Sequence, residues 1–324
     1  MVSPLVVLSA RIGPLTPFET GIADRVPCRV ELRPLGSREE IVANAAGARV
    51  VILGAVEPFD AAVFPFLPDL RMVARRGVGV DNVDLAAAAA HGVTVTNVTD
   101  ATVDEVSDHA LAMLVALLRG VPAAHDAALR DRVDLARAAV DRSRPLGRTV
   151  LAVLGGGRIG RRLVAKAAGL FREVLVVDPF VTAVDGARVV PLADALAVAD
   201  AVSVHTPLTP ATRGLLDAAA LAAARPGLVV VNAARAGVVD EDALEKAARA
   251  GVVAGVGLDV TTDEQRWHSV ITDGFTNVIL TAHTGGRGAL AQENLRRRCA
   301  EQVTDFLLGH KPDGVVESAG DGAG

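Results

Sequence analysis

The sequence predicts an α/β protein with two doubly wound domains, each built around a parallel sheet. Short apolar runs alternate with alanine-rich segments along most of the 324 residues, and this alternation is typical of βα units. A glycine-rich turn at residues 155–160 follows one of these runs near the middle of the chain. Because such a turn normally opens a domain, the residues before it predict a separate α/β domain.

Each predicted strand is a short apolar run bounded by turn or helix signals. Four runs precede the glycine-rich turn, at 5–8, 50–53, 71–74 and 93–98. The run at 150–154 enters the turn, and five more follow it, at 174–177, 201–204, 228–231, 253–258 and 278–280. Their nearly continuous apolar character is expected of parallel strands that are buried on both faces.

The predicted domains are discontinuous in sequence. A helix at 104–119 leads into the second domain; Asp104 suits its N-cap, and its apolar character nearly all round indicates a helix buried between the domains. We expect the last segment of the chain to return to the first domain. The first domain then comprises residues 1–103 and 284–324, and the second comprises residues 104–283.

The composition favours a small-molecule partner over nucleic acid or a membrane surface. Hydrophobic residues make up 51% of the chain, enough for two cores, and the net charge is −5. No apolar run reaches membrane-spanning length, and the first residues lack a basic leader. Cys28 and Cys299 form no CxxC or Cys/His pattern, so neither a disulfide framework nor a metal site is predicted. We therefore expect a cytoplasmic protein.

The glycine-rich turn has the spacing that a dinucleotide pyrophosphate requires. Gly155 permits a tight turn, Gly157 lets the backbone approach the phosphates, and Gly160 allows the following helix to pack closely on its strand. Backbone N–H groups of Arg158 and Ile159, at the helix N-terminus, are expected to bind the pyrophosphate. The alternative is a glycine turn that serves packing alone.

An acidic residue follows the next predicted strand. Asp178 comes directly after the run at 174–177, about where an acid meets the adenosine ribose in dinucleotide-binding domains. A carboxylate at this position favours NAD over NADP as the cofactor. The alternative is an ordinary strand-end acid before Pro179.

Three polar residues follow later strands, where open α/β sheets bind their ligands. Arg235 comes after 228–231, Glu264 after 253–260, and His283 after 278–280. Here the chain resembles the D-isomer-specific 2-hydroxyacid dehydrogenases, of the phosphoglycerate dehydrogenase-like type. The resemblance rests on linked segments in the family's order, at residues 75–84, 92–98, 200–214, 231–244, 255–264 and 277–283.

The resemblance implies a Rossmann NAD-binding domain inserted in a flavodoxin-like substrate domain, and a homodimer formed through the cofactor domain. It implies hydride transfer between a nicotinamide and C2 of a D-2-hydroxy acid or its 2-oxo acid. It also assigns further cofactor contacts to Thr206, Ala233, Arg235 and Asp259. Backbone N–H groups of Gly77, Val78 and Gly79 are expected to bind the substrate carboxylate.

The three catalytic residues suit the chemistry that the resemblance implies. An imidazolium is a natural proton donor to the new oxyanion near neutral pH, and His283 is that residue. Glu264 would favour the protonated ring and fix its orientation. The Arg235 guanidinium would bind the substrate carboxylate and polarise the carbonyl. The alternatives are a strand-end arginine paired with Asp240, a solvated Glu264 and a structural His283.

The adjacent pair Arg75 and Arg76 bears on the substrate. Two arginines before the glycine loop suggest a second anionic group, whereas the alternative is that both are solvated. Trp267 either shields the site or contacts a partner subunit. At the level of the whole protein, two other functions stay open: an NAD-binding, corepressor-like regulator, and a phosphonate- or formate-type dehydrogenase. Glu264 argues against the formate type.

Overall fold

The computed structural model describes residues 3–141, 143–262 and 275–316. Within these ranges we label twelve strands and eleven α-helices in chain order. The strands are β1 (Leu5–Ser9), β2 (Arg29–Arg33), β3 (Ala48–Leu53), β4 (Met72–Arg75), β5 (Thr94–Asn97), β6 (Val150–Leu154), β7 (Glu173–Val177), β8 (Arg188–Val189), β9 (Ala201–Val204), β10 (Leu228–Asn232), β11 (Val253–Leu258) and β12 (Val278–Leu280). The helices are α1 (Pro17–Arg25), α2 (Arg38–Asn44), α3 (Leu85–Ala90), α4 (Val103–Leu118), α5 (Val121–Leu129), α6 (Val133–Asp141), α7 (Arg158–Ala167), α8 (Leu192–Val198), α9 (Ala218–Ala222), α10 (Glu241–Arg249) and α11 (Ala289–Leu307).

The chain folds into two compact units. The first unit combines Met1–Thr102 with Gly288–Gly324, and the second unit is the continuous segment Val103–Arg287. In the described part of the chain no single helix is both long and apolar enough to span a membrane. By length and composition alone, α4 and α5 could do so as a pair, with a bend of 65° where they meet.

The first unit is a five-stranded parallel sheet in the order β2-β1-β3-β4-β5. One of its faces is buried under side chains from α2, α3 and the short 3-10 helix Phe64–Phe66. The other face is covered by α1 and α11, through residues that include Ile22, Leu295 and Val303. The strand order reverses between β1 and β3, as is typical of flavodoxin-like sheets. The carboxyl ends of β3 and β4 lie side by side next to this point.

The second unit is a seven-stranded sheet in the order β12-β11-β10-β9-β6-β7-β8, and all of its strand pairs are parallel. Counted within the unit, this is the strand order of dinucleotide-binding domains, extended by one strand. The strand order reverses between β6 and β9, so the loop after β6 lies where such sheets bind their ligands. These two all-parallel sheets confirm the predicted fold class.

Helix α4 packs on one face of the second sheet. Its residues Ala110, Met113, Leu114 and Leu117 are buried there, and burial of each large side chain contributes about 1.5–3 kcal/mol. A glycine in β11 permits the close approach, because a Cβ on Gly257 would lie 2.8 Å from Met113 Cε and 3.0 Å from Leu117 Cδ1. The helix is therefore a core element of the second unit.

The structure differs from the sequence prediction in three elements. The strands β2 and β8 were not predicted; β2 is an edge strand with partly exposed arginines and a glutamate, and β8 has only two residues. Helix α4 begins one residue earlier than expected. Asp104 therefore lies in its first turn rather than at the N-cap, and its carboxylate binds Arg162 at 2.6 Å.

Candidate active site

The glycine-rich turn joins β6 to α7 at the point where the strand order of the second sheet reverses. Gly155 has φ +107°, a conformation that favours glycine, and its N–H donates to the Val177 carbonyl at 2.9 Å. A Cβ on Gly160 would lie 1.9 Å from the Gly155 carbonyl oxygen, so this position also requires glycine. By contrast, a Cβ on Gly157 would meet no atom within 4 Å. Open space therefore lies beside Gly157, at the start of α7.

Asp178 links the glycine-rich turn to the residues that follow β7. One carboxylate oxygen accepts a hydrogen bond from the Gly156 N–H at 2.7 Å, and the other accepts one from the Phe180 N–H at 2.8 Å. Asp178 also borders a cavity of about 380 Å³, whose other lining residues are mostly apolar: Val177, Pro179, Val189, Val190, Pro191 and Leu192. The cavity thus combines an apolar lining with one carboxylate.

These features fit a bound dinucleotide. The helix N-terminus supplies N–H donors and a partial positive charge, and the open space at Gly157 allows phosphates to approach the backbone. The apolar cavity beside Asp178 suits an adenine ring, with the carboxylate near the ribose hydroxyls. Arg158 and Ile159 are the first two residues of α7, where their N–H groups are not used within the helix.

The segment after β9 packs against the glycine turn. A Cβ on Gly155 would lie 2.7 Å from the His205 carbonyl oxygen and 3.2 Å from Thr206 Cγ2. The Thr206 hydroxyl and His205 Nδ1 are buried without a hydrogen-bond partner in the described ranges. His205 Nε2 lies 2.8 Å from Ser203 Oγ, and burial of the ring lowers the pKa of His205 to about 4. His205 is therefore neutral at physiological pH.

Arg235 follows β10 in a turn that Asn232 organises. The Asn232 side chain accepts from the Ala234 N–H at 3.1 Å and donates to the Arg235 carbonyl at 2.9 Å. Arg235 precedes a short 3-10 helix, Ala236–Val238, and its Nη1 donates to the Ala234 carbonyl at 2.8 Å. Ala233, the other predicted cofactor contact here, is the first residue of the turn. Asn232 was not assigned a role from the sequence, although an asparagine directly before a turn is a known signal.

His283 lies in a turn that follows β12. Its N–H donates to the Asp259 carbonyl at 2.6 Å, and both Ala282 and His283 have positive φ values, 45° and 57°. The Asp259 side chain, which is almost fully buried, accepts from the Thr284 N–H at 2.7 Å and the Gly285 N–H at 2.9 Å. Asp259 was predicted as a cofactor contact, and in the structure its carboxylate also fixes the turn that carries His283.

The predicted substrate residues lie at the carboxyl edge of the first sheet. Gly77 has φ +148°, a conformation that favours glycine, and the Arg75 side chain folds over it, since a Cβ there would collide with Arg75 Nη1. Arg75 Nη1 donates to the Arg76 carbonyl at 2.8 Å. Asn97 anchors the loop by donating to the Val78 carbonyl at 2.6 Å. Gly79 follows in the same loop.

The Arg76 guanidinium has two buried donor atoms, Nε and Nη1, that have no hydrogen-bond partner within the described residues. Burial, followed by the nearby Arg296 charge, lowers the pKa of Arg76, while Cys299, Glu19 and Glu57 oppose this shift. Glu57 is itself fully buried, and its Oε1 atom has no partner in the same ranges. Glu264 and Trp267, the remaining predicted residues, lie outside the described residues.

The chain is similar to known proteins over most of its length. The family model "D-isomer specific 2-hydroxyacid dehydrogenase, NAD binding domain" matches residues 111–285. D-3-phosphoglycerate dehydrogenase of Mycobacterium tuberculosis is 38% identical over 322 residues, which cover 98% of this chain and 60% of that protein. The rat D-3-phosphoglycerate dehydrogenase is 34% identical over 290 residues, covering 87% of this chain and 53% of the rat protein. The chain thus spans little more than half the length of these curated relatives.

Among solved structures, the holo form of Rhodotorula graminis D-mandelate dehydrogenase superposes with a TM-score of 0.89 at 24% identity, covering 98% of this chain and 99% of that one. This likeness supports the fold. The matched family model confirms NAD as the cofactor, and the relatives confirm the resemblance inferred from the sequence. The chain belongs to the D-isomer specific 2-hydroxyacid dehydrogenase family.

Proposed function

We propose that the chain is an NAD-dependent oxidoreductase that interconverts a D-2-hydroxy acid and its 2-oxo acid. The observation that carries this proposal is the position of Arg235 and His283 at the same edge of the sheet that presents the glycine turn. They follow β10 and β12, which are separated only by β11 and therefore lie about 10 Å apart. Two side chains on loops that leave strand ends this close together can contact one small oxo acid.

The proposed chemistry divides between these two residues. NADH, when bound, supplies the hydride to C2 of the oxo acid. The Arg235 guanidinium binds the substrate carboxylate and polarises the C2 carbonyl. The His283 imidazolium gives its proton to the C2 oxygen as negative charge develops there, and the neutral ring takes the proton back in the oxidative direction. We assign Glu264 to holding His283, on its sequence position alone.

The first unit has a separate proposed role, which is recognition of the substrate's anionic groups. Backbone N–H groups of Gly77, Val78 and Gly79 are proposed to bind the carboxylate. Arg75 is proposed to shape this loop, because its side chain lies over Gly77. Arg76 is proposed to bind a second anionic group of the substrate. Two buried N–H positions without an acceptor in the described part of the chain support this assignment, since they gain a full hydrogen bond from an anion.

One set of rate measurements tests both proposals. NADH oxidation is followed with monoanionic oxo acids, glyoxylate and hydroxypyruvate, and with dianionic ones, 2-oxoglutarate and phosphonopyruvate. We expect Arg235→Ala and His283→Ala each to lose about 10²-fold or more in kcat/KM on every substrate. His310→Ala, which removes an exposed histidine of the first unit, is the control and should keep the wild-type rate.

The Arg76→Ala variant tests whether the enzyme recognises a second anionic group on the substrate. We expect kcat/KM for dianionic oxo acids to fall about tenfold or more, and kcat/KM for monoanions to stay within threefold. Equal losses on both classes would reject the second-anion assignment. Turnover of no oxo acid, together with NADH-dependent association of the chain, would instead support a regulatory protein on the same fold.

We also propose that the chain forms a homodimer through the second unit and works in the cytoplasm. Exposed apolar side chains lie on α5 and α6, at Val121, Leu129, Val133 and Leu135, and such a patch is typical of an interaction surface. A cytoplasmic location is supported by the two cysteines, both of which are free thiols in the structure.

A further inference from the structure

A second histidine contacts the turn that carries His283. His109 projects from α4, and its Nε2 lies 2.8 Å from Thr281 Oγ1 and 3.5 Å from Asp259 Oδ1. Its Cδ2 atom would lie 3.3 Å from a Cβ on Gly285, so the ring packs directly on the far end of the turn. All of these residues belong to the second unit. His109 thus connects a core helix to both ends of the turn.

The hydrogen bonds determine which ring nitrogen carries a proton. The Thr281 hydroxyl lies 2.7 Å from Asp259 Oδ1, to which it donates its single hydrogen, because an ionised carboxylate can only accept. The Thr281 oxygen must then accept from His109, so His109 Nε2 is the protonated nitrogen. A directed chain follows, from His109 Nε2–H to Thr281 Oγ–H and on to Asp259.

The turn needs this support because its backbone is unfavourable. Ala282 and His283 both adopt left-handed φ values, which are unfavourable for residues other than glycine. Asp259 compensates by accepting from Thr281, Thr284 and Gly285 together. With these three donors in place, His283 is the third residue of a turn that the Asp259 carboxylate holds at both ends. A shift of the carboxylate would therefore act on the turn that carries His283.

We propose that His109 is a positioning residue for His283, acting through Thr281 and Asp259. By donating to Thr281, His109 directs the threonine hydroxyl towards Asp259 and so holds the carboxylate in the orientation that the turn requires. The inference rests on the proposed role of His283 as the proton donor. A ring that merely fills space on α4 is the competing explanation, and it makes different predictions for variants of similar size.

The test uses variants that separate the N–H donor from the volume of the ring. His109→Gln keeps an N–H donor at a similar distance from the backbone, whereas His109→Leu keeps apolar volume without a donor. Thr281→Ser keeps the hydroxyl and Thr281→Val removes it. For each variant of the full chain, kcat is measured with saturating NADH and the best oxo acid of the panel. The dissociation constant of NADH is measured by fluorescence, and thermal unfolding checks the fold.

We expect His109→Leu and Thr281→Val each to lower kcat about tenfold or more, with the NADH dissociation constant within about threefold of wild type. His109→Gln and Thr281→Ser should stay within threefold of the wild-type kcat. The His109→Leu/Thr281→Val double variant should be no worse than either single variant, because both changes break one chain. In a His283→Ala background, His109→Leu should change the residual rate less than twofold.

Three outcomes would overturn the inference: a wild-type kcat in His109→Leu, a loss in His109→Gln as large as that in His109→Leu, or additive effects in the double variant. Should His109→Leu fail to fold, the Thr281→Val and Thr281→Ser pair gives the same decision. If His283→Ala itself keeps full activity, the proposed function fails. If His283→Ala is inactive while His109→Leu is normal, only the positioning role fails.

Discussion

At the scale of single residues, burial sets what His205 can do. The ring is neutral in the folded protein because desolvation lowers its pKa to about 4 from the ordinary 6.5. The unfolded chain therefore binds a proton in the interval between these two values, while the folded protein does not. The free energy of unfolding must fall as the pH drops through this interval.

This linkage gives a pH prediction. Between about pH 6.5 and pH 4, the neutral His205 should cost roughly 3 kcal/mol of stability, with no further loss from this group below pH 4. We expect the melting temperature of His205→Asn to decline less steeply than that of wild type from pH 7 to pH 4.5. The exposed His310→Asn serves as the control. Parallel declines in all three proteins would contradict the assignment.

The sequence predicts some site residues better than their contacts. The glycine positions follow from spacing alone, because the turn chemistry is local. The double use of the Asp178 carboxylate, by Gly156 and Phe180, depends on how two strands align and is not visible in sequence. The support of His283 by Asp259 and His109 joins residues up to 172 positions apart, through a turn whose φ values no local pattern predicts for alanine and histidine.

At the scale of elements, two glycines of one turn should respond differently to the same substitution. A Cβ on Gly160 would lie 1.9 Å from the Gly155 carbonyl oxygen, so α7 must move away from β6. We expect Gly160→Ala to lower the melting temperature by several degrees and to weaken NADH binding as a consequence.

Gly157→Ala is the matched variant, because its Cβ enters open space and its φ of −75° suits alanine. We expect the melting temperature to stay within about 2 °C of wild type, while NADH binding weakens about tenfold or more because the methyl group takes the space of the phosphates. Thermal unfolding and fluorescence titration measure the two effects. Undiminished binding in Gly157→Ala would place the pyrophosphate elsewhere.

Strand prediction succeeded where burial is complete and failed for two of the four edge strands, β2 and β8. The strands β6, β9 and β10 are fully buried and read as continuous apolar runs. The edge strand β2 alternates charged with apolar residues and is only partly buried, because its outer side faces solvent, so it forms no continuous apolar run. Such a strand is specified by its neighbour β1, which a local pattern does not include.

At the scale of the whole molecule, the exposed apolar side chains of α5 and α6 predict an interface between two copies. Leu129 is 73% exposed and Leu135 is 54% exposed. We expect the double variant Leu129→Glu/Leu135→Glu to shift the molar mass in light scattering from dimer to monomer, because a charge at a buried interface lacks a partner. Leu308→Glu, on an exposed apolar residue of the first unit, should leave the mass unchanged. An unchanged mass in the double variant would exclude this surface.

The discontinuous first unit has a consequence for the order of folding during synthesis. One face of its sheet is covered by α11, which the ribosome makes about 190 residues after β5. The second unit is continuous and can complete its core before α11 exists. Until then, residues such as Val50, Ile52 and Met72 lack their final cover. The nascent chain therefore carries an apolar sheet surface for the whole time that the second unit is being translated, which makes this interval the one in which chaperones would protect it from aggregation.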